Sequence, residues 1–440
     1  MSITSAREQL KQCKDLFKLP PNFNLEEFRE VANGFFQGEG HVSCRIRGKY
    51  FTPVVAINQN FSLESLEFFL TLWHVLGRTS TLSLIKNKQG KLVIRLSSES
   101  WDIILNQYSK FFNRIYGEKY IAFQKLSDIR RLTSNSSGLD SYTLALATYI
   151  LYDLSADGLD RKYSLSEQLK LFGISKENVE LPTYSDNNAS LSILFIIGFI
   201  LGDGTLHLRL RNSDKGSIWI IPTLFLPQLK SKYNAHFFSM LEDFFESLDI
   251  KTYTINKIKD TETMDILIET SSKENIKGMT VLTVESIHSI FDKLIPIFSP
   301  YSHYFYWKYP QYELMSRLAQ LINAKAHSTL YGFTTILDII YSYPNSRIKS
   351  KEYWLDLIQS WFKTQANKNK SVENNVQAVY GRGSLKGEIV AWKCVFPIES
   401  KIKARQFGFT NNIESSMREA LNQAITYRDT SIKSWIESLK

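Results

Sequence analysis

The chain has 440 residues, a net charge of +9 and an isoelectric point near 9.1. With 43% hydrophobic and 13% aromatic residues it is composed like a folded protein, which excludes a disordered chain, and its apolar run 191–201 is shorter than the roughly 20 residues that cross a bilayer. The positive charge favours a polyanionic partner, so a nucleic acid is expected and a membrane is not.

Residues 1–24 form an N-terminal extension that lacks the apolar stretch of a secretory signal. It contains Glu8 and Asp15, and acids are rare in organellar transit peptides. The scattered cysteines (Cys13, Cys44 and Cys394) argue for a reducing compartment and against structural zinc. The chain is rich in Ile, Lys, Asn, Phe and Tyr, which have AT-rich codons. We therefore expect synthesis in an organelle, with the mitochondrion preferred to the chloroplast.

Two segments repeat one pattern, in which two glycines four residues apart precede an acid and a third glycine. They are residues 34–40 (GFFQGEG) and 198–204 (GFILGDG). Glycines at this spacing share a helix face, where a second backbone can approach closely. Two such helices would bring Glu39 and Asp203 together, and a carboxylate pair repels unless divalent cations neutralise it. The alternative is an apolar helix with a glycine-rich end that occurs twice by chance.

A strand with alternating polar and apolar residues follows each motif. Period two places the polar residues on one face of each strand. In the two copies they are His41, Ser43, Arg45 and Arg47, and His207, Arg209 and Arg211. The next strands, 51–60 and 218–228, carry Gln59 and Gln228 at matching points. Two cationic strand faces beside two acids indicate a surface for a polyanion rather than a merely solvated face.

The rest of each copy follows the same order. Helices are predicted at 63–76 and 235–248, hairpins at 79–97 and 251–271, and closing helices at 99–116 and 284–298. The second hairpin is expected to turn at 259–262. Each copy therefore contains helix, strand, strand, helix, strand, strand and helix.

The paired motifs resemble those of the LAGLIDADG homing endonucleases in their two-motif, single-chain form. The resemblance implies an α+β fold of two pseudo-symmetric αββαββα halves, packed through the motif helices, with each sheet in the DNA major groove. It also implies that Glu39 and Asp203 bind two or three Mg²⁺ ions shared with DNA phosphates, with the carbonyl groups of Gly38 and Gly202 completing the site. Such ions activate water and neutralise the phosphate charge.

The family usually places a basic residue beside the acids in each half. Lys119 lies where the family often has Gly-Lys-Lys, although an ordinary surface lysine would look the same. The second half departs from this pattern in residues 300–308, where Lys308 is the candidate and His303 the alternative. This departure bears on how efficiently both DNA strands are cut.

The resemblance covers residues 25–155 and 191–362, which are separated by a connector at 156–190. A polar linker, 363–376, precedes a basic module at 377–440. The module is predicted to have two or three strands and then a helix. It is loosely similar to small three-stranded DNA-binding modules of the AP2 kind, and the alternative is an extension that packs on the core.

Two functions of different classes follow. The first is a site-specific, divalent-metal-dependent double-strand DNA endonuclease of the homing type, expected to be monomeric. The second is a non-cutting RNA-binding protein on the same fold, either an intron-splicing maturase or a ribonucleoprotein component. The intact acid pair favours cutting, whereas the basic extension and the departure in the second half favour RNA. A transcription-factor-like DNA binder without catalysis is a third option.

Overall fold

The computed structural model describes residues 3–134, 139–154, 162–174, 179–212, 218–231, 233–255, 278–343, 349–367, 376–380, 389–398, 401–408 and 414–438. Its contacts divide the chain into two compact units. The first unit comprises Met1–His207, Thr223–Glu285 and Pro296–Pro310, and it contains both motif helices. The second comprises Leu208–Pro222, Ser286–Ile295 and Gln311–Lys440.

The helices of the first unit include both motif helices. They are α1 (Ile3–Leu16), α2 (Leu25–Glu39), α3 (Leu63–Val75), α4 (Trp101–Ile103), α5 (Ser109–Phe111), α6 (Gly117–Thr133), α7 (Ser141–Tyr152), α8 (Leu165–Leu171), α9 (Ile193–Leu201) and α10 (Asn234–Ser247). A π-helical turn, Ile104–Tyr108, joins α4 to α5. Helix α7 lies before the connector predicted at 156–190, and α8 lies within it.

Two four-stranded sheets share one strand order. Their strands are β1 (Gly40–Arg47), β2 (Tyr50–Asn60), β3 (Thr81–Lys86), β4 (Leu92–Ser98), β5 (Thr205–Asn212), β6 (Ile218–Leu229), β7 (Tyr253–Ile255) and β8 (Met279–Glu285). The orders are β1-β2-β4-β3 and β5-β6-β8-β7. This repetition confirms the predicted α+β fold with two sheets of equivalent topology.

Side-chain caps at their N-termini and the burial of apolar residues both stabilise the motif helices. Asn24 caps α2 by accepting hydrogen bonds from two main-chain N–H groups, at 3.1 and 3.2 Å. Ser192 caps α9 through the N–H of Phe195, at 3.1 Å. Since α9 is apolar on all sides, its residues Phe195–Leu201 are all buried. Each large side chain buried in this way contributes about 1.5–3 kcal/mol to folding.

Strand β1 is an edge strand with the predicted alternation. Val42 and Cys44 are buried while His41 and Arg45 are exposed. The β1–β2 hairpin turns at Gly48, whose φ of +57° favours glycine. At the opposite edge of this sheet, α1 packs against β3, where Arg7 Nε donates to the Leu84 carbonyl at 3.2 Å.

After β8 the chain continues in short helical segments. These are a π-helical segment (His288–Leu294), α11 (Ile295–Phe298), a 3-10 segment (Ser299–Lys308), α12 (Tyr309–Asn323), α13 (Leu330–Ser342) and α14 (Lys351–Asn367). The prediction that a helix begins at Val284 is wrong, because β8 extends to Glu285. Helix α14 extends into the segment expected to be a polar linker, since residues 363–367 include helix-forming Lys, Gln and Ala.

The C-terminal part of the second unit is a three-stranded antiparallel sheet followed by a helix, as predicted. It consists of β9 (Val376–Tyr380), β10 (Ile389–Ile398), β11 (Lys401–Gly408) and α15 (Glu414–Ser438), in sheet order β11-β10-β9. Helix α15 contacts β10, β11 and α13, and its Ile432 and Ile436 are buried.

The turn expected at 259–262 lies outside the described residues. Among the helices that the structure describes, none is long and apolar enough to span a membrane.

Candidate active site

Helices α2 and α9 pack with their backbones in contact, as the glycine pattern predicts. A Cβ atom on Gly34 would overlap the carbonyl oxygen of Phe195. A Cβ atom on Gly198 would overlap the carbonyl oxygen of Val31 in the same way. Any larger residue at either position would therefore force the two helices apart.

The same close approach continues to the ends of the helices, where the acids lie. A Cβ atom on Gly38 would stand 2.8 Å from the Asp203 nitrogen, and one on Gly202 would stand 3.3 Å from the Glu39 nitrogen. The pairing of Glu39 and Asp203 at one end of a helix interface thus follows from glycine packing.

A lysine from outside each motif helix binds that helix at its C-terminal end. Lys119, the third residue of α6, donates through Nζ to the carbonyls of Phe36 (3.1 Å), Gln37 (2.6 Å) and Gly38. These carbonyl groups lie at the negative end of the helix dipole, so an ammonium group is favoured there.

Lys308 makes the equivalent contacts in the second copy. Its Nζ donates to the carbonyls of Ile200 (2.5 Å), Gly202 (3.1 Å) and Gly204 (2.5 Å). His303, the alternative, is exposed and stacks on Tyr304 with ring centroids 4.1 Å apart. Of the two candidates, Lys308 therefore occupies the position equivalent to that of Lys119.

The four charged groups perturb one another in a partly buried environment. Burial and, to a smaller extent, the charge of Asp203 together raise the pKa of Glu39 to about 7, against the opposing charges of the two lysines. Burial also raises the pKa of Asp203, against the opposing effect of Lys119 and Lys308. Burial lowers the pKa of each lysine to about 8, although the two acids act the other way. Such mutual perturbation is typical of functional sites.

Two buried glutamines connect the acids to the protein interior. Gln228 Nε2 donates to Asp203 Oδ2 and to the Gln37 carbonyl, both at 3.2 Å. Gln37 lies inside the first motif, and its Oε1 accepts from the Tyr116 N–H at 2.8 Å. Sequence reasoning missed Gln37, although a polar residue between two packing glycines was the available signal.

Gln59 does not reproduce the contact of Gln228. Its Oε1 accepts from the main-chain N–H of Asn60 at 2.7 Å, and it makes no hydrogen bond to Glu39 within the described residues. The side chain of Glu39 likewise has no hydrogen-bond partner among them. The two acids therefore differ in how firmly the protein orients them.

The helix that carries Lys119 is capped by residues distant in sequence. Tyr116 at the N-cap makes no side-chain cap. Instead, Asp186 Oδ1 accepts from the Gly117 N–H at 2.7 Å, and Asn234 Oδ1 accepts from the next N–H at 3.0 Å. Gly117 has a φ of +59°, and a Cβ atom there would overlap Asn234. The connector and α10 therefore fix the position of Lys119.

Lys308 is held differently, by a strained turn and an aromatic anchor. Tyr306, two residues earlier, has φ +39° and ψ −121°, which is costly for a non-glycine residue. The ring of Trp307 packs edge-on against Phe35 and Phe68, with centroids 5.3 and 5.6 Å away. Aromatic packing thus takes the place of helix capping.

The polar face predicted on β1 is present, and several of its side chains already contact other side chains of the protein. His41 and Ser43 hydrogen-bond to each other at 3.0 Å, and Arg45 forms a 2.9 Å ion pair with the exposed Glu99. Although His41 is exposed at the surface of the strand, partial desolvation of its ring and the nearby charges of Lys119, Arg95 and Arg45 lower its pKa, which favours the neutral ring. Arg47 is exposed.

The corresponding residues of β5 are distributed over the two units. His207 belongs to the first unit, whereas Arg209 and Arg211 belong to the second. His207 and Arg209 are half-buried and Arg211 is exposed.

The oxygen donors at the helix ends suit a hard divalent cation. Glu39 and Asp203 supply carboxylates, and the carbonyl oxygens of Gly38 and Gly202 retain a lone pair beyond the one that each lysine occupies. Mg²⁺ and Ca²⁺ prefer such oxygen ligands and accept water or phosphate for the rest. Among the described residues, no group of three or more His, Cys, Asp or Glu side chains could hold a metal by itself.

Solved LAGLIDADG homing endonucleases share this architecture. The I-LtrWI LAGLIDADG homing endonuclease bound to target DNA aligns with a TM-score of 0.56 and 17% identity, over 74% of this chain and 100% of that chain. I-SmaMI bound to cleaved DNA aligns with a TM-score of 0.55 and 19% identity, over 73% of this chain and 98% of that one. I-SmaMI bound to uncleaved DNA in the presence of calcium ions gives a TM-score of 0.55 and 18% identity, over 72% and 99%. No family model and no curated protein matches the sequence. The chain has the homing-endonuclease fold of these proteins.

Proposed function

We propose that this protein is a site-specific double-strand DNA endonuclease of the homing type that uses Mg²⁺. One observation carries the proposal: a carboxylate, Glu39 or Asp203, lies at the C-terminal end of each of two packed helices, and a half-buried lysine, Lys119 or Lys308, binds the carbonyl groups there. Both acids come from one chain, so the site is complete without a second copy. We therefore propose that the protein acts as a monomer.

The chemistry required is the hydrolysis of a phosphodiester. A water oxygen bonds to phosphorus, one ester P–O bond breaks, and a proton leaves the water. A divalent cation held by Glu39 and Asp203 would supply charge neutralisation and an activated water. Because their pKa is about 8, Lys119 and Lys308 can hold or release a proton at Nζ near neutral pH. Gln228 acts as a positioning residue by orienting Asp203.

The DNA-bound neighbours and the net charge of +9 support double-stranded DNA as the partner. The polar face of β1 would then read base edges and phosphates in the major groove. On β5 we propose the same role for His207, Arg209 and Arg211. The ion pair of Arg45 with Glu99 is solvent-exposed, so DNA can compete for Arg45 at a cost below about 1 kcal/mol.

Cleavage of a plasmid library tests the proposal. Supercoiled plasmids that carry candidate intron-insertion sites are incubated with and without Mg²⁺. Linear product that requires Mg²⁺ is expected from the unmodified chain, and Glu39→Gln and Asp203→Asn should each lose it while DNA binding persists. Glu64→Gln makes the same chemical change at an exposed position on α3 and should cut normally.

The second candidate is a non-cutting RNA-binding protein on the same fold. It is favoured by the basic C-terminal module, residues 377–440, which adds positive charge to the chain. Filter binding with the cognate intron RNA separates the two candidates. Tight RNA binding that is indifferent to Glu39→Gln and Asp203→Asn, with no site cut, would replace the endonuclease by the RNA binder.

A further inference from the structure

A cavity of about 750 Å³ lies along the outer edge of β1, apart from the acid pair. Strand β1 contributes Arg45, and the hairpin that follows it contributes Lys49. The opposite wall comes from the end of α7 and the segment before α8, with Tyr152, Lys162 and Tyr163. A cavity of this size can enclose a nucleotide-sized group.

The charge around this cavity is of one sign. Arg45, Lys49 and Lys162 are among its lining residues, which include no Asp or Glu. Arg45 is paired with Glu99, whereas neither lysine forms an ion pair with a carboxylate of the described residues. A concave surface whose lining carries cations and no acids concentrates anions.

The lining of the cavity also includes two tyrosine rings. Tyr152 donates through its hydroxyl to the carbonyl of Tyr163 at 2.7 Å, which ties α7 to the segment before α8. Lys162 Nζ lies 5.1 Å from the centre of the Tyr163 ring. Tyrosine rings beside ammonium groups can pack against a sugar while the charges bind its phosphates.

We propose that this cavity binds the sugar–phosphate backbone of the nucleic acid whose bases lie on the polar face of β1. The inference rests on the proposed function, because it assumes a nucleic acid on that face. His41, Ser43 and Arg45 line the cavity and also form the polar face, so a strand that leaves the face at the edge of β1 enters the cavity. The connector thereby becomes a second binding wall beside the sheet.

The chemistry of the lining favours backbone contact over base recognition. Lysine is a flexible point charge that suits phosphate, and it lacks the planar fork with which arginine reads guanine. Backbone contacts carry no sequence information. Removing Lys162 should therefore weaken binding to every DNA by a similar factor and leave the preference for the target unchanged.

Salt dependence gives the measurable signature. Each lost phosphate contact lowers the slope of log affinity against log salt by about one. We expect Lys49→Ala and Lys162→Ala each to reduce the slope by about one, and Lys162→Arg to restore most of it. The control is Lys170→Ala, an exposed lysine on α8 that does not line the cavity, and its slope should match that of the unmodified chain.

The experiment is fluorescence anisotropy with labelled duplex DNA over a range of salt from roughly 50 to 300 mM, without divalent cations. Circular dichroism checks that each variant is folded, which is expected because Lys162 is exposed. If Lys162→Ala and Lys170→Ala give the same slope while the unmodified chain binds DNA, the cavity proposal is overturned and the proposed function stands. If the unmodified chain binds no DNA at any salt concentration, the proposed function itself fails.

Discussion

The ends of the two motif helices have the same groups but hold them differently. At the end of α9, the Asp203 carboxylate accepts a hydrogen bond from the buried amide of Gln228. At the end of α2, Glu39 has a longer side chain and no such bond among the described residues. Asp203 is therefore orientated by the protein, whereas Glu39 depends on whatever binds beside it.

The two lysines make equivalent contacts but are positioned by different local structures. Lys119 extends from the first turn of a long helix that Asp186 and Asn234 cap. Lys308 ends a 3-10 segment that contains the strained Tyr306. Both routes deliver an ammonium group to the carbonyl groups of a motif helix. The comparison indicates that the chemical groups are symmetric and that their supports are not.

The largest expected effect tests the symmetry of the lysines. Replacing Lys119 or Lys308 with Met keeps the length and removes the charge, and each variant should lower the cleavage rate about a hundredfold or more. Time courses on supercoiled plasmid separate the two strand cuts. If each lysine serves one strand, each variant accumulates nicked circles. A loss of activity in one variant with none in the other would break the equivalence of the two ends.

The second prediction concerns the stability of the metal-free protein. Burial raises the pKa of Glu39 from its ordinary 4.5 to about 7, so its charge destabilises the folded state increasingly from pH 4.5 to 7 and fully above pH 7. In a chelator at about pH 8, Glu39→Gln should therefore raise the free energy of unfolding by at most about 3 kcal/mol, less the part that solvent screening removes at this half-buried residue, and the gain should vanish near pH 4.5. Urea unfolding at both pH values measures this. An equal gain at both pH values would contradict the burial of the Glu39 charge as the cause.

The third prediction separates the two glutamines. Gln228→Ala leaves Asp203 without its amide partner, so cleavage should fall about tenfold, in line with the roughly 1–3 kcal/mol that an unsatisfied buried group costs. Gln59→Ala should change the rate less than about twofold, because Gln59 contacts only its neighbour. Single-turnover cleavage rates on the same target compare them. Equal losses would mean that Gln59 reorientates toward Glu39 when DNA binds.

The smallest expected effect concerns the remote cap of α6. Asn234→Ala should cost about 1 kcal/mol of stability and should also slow cleavage, because the cap positions Lys119. Asp140→Ala removes the cap of α7, where Asp140 accepts from the Thr143 N–H at 2.8 Å. This control should lose similar stability without loss of cleavage rate at a temperature where both variants are folded. Equal cleavage rates in the two variants would mean that the Asn234 cap stabilises the fold and does not position Lys119 for cleavage.

The sequence was sufficient for features that repeat at fixed spacing. The glycine pattern predicted the approach of α2 and α9, and period two predicted which residues of β1 are exposed. These inferences hold because helix and strand geometry convert spacing directly into faces. The succession of helices and strands in each half followed from the resemblance carried by the same motifs.

The supports of the site could be predicted only in part because they depend on tertiary geometry. The resemblance gave Lys308 as one of two candidates beside His303, because the 3-10 segment that brings it back to α9, with a positive φ at Tyr306, has no fixed spacing from Asp203. Asp186 and Asn234 cap a helix to which they do not belong. Gln37 was overlooked because a polar residue in an apolar helix has no meaning until its partners Tyr116 and Gln228 are known.

The central claim is that Glu39 and Asp203 form one cation site, and Fe²⁺-directed cleavage of the protein tests it most directly. Fe²⁺ replaces Mg²⁺, ascorbate and peroxide generate hydroxyl radicals at the bound ion, and mass spectrometry locates the broken peptide bonds. We predict breaks near both residues 38–40 and residues 202–204, which excess Mg²⁺ suppresses and the Glu39→Gln, Asp203→Asn double variant lacks. Breaks confined to one motif, or unchanged in the double variant, would contradict the claim.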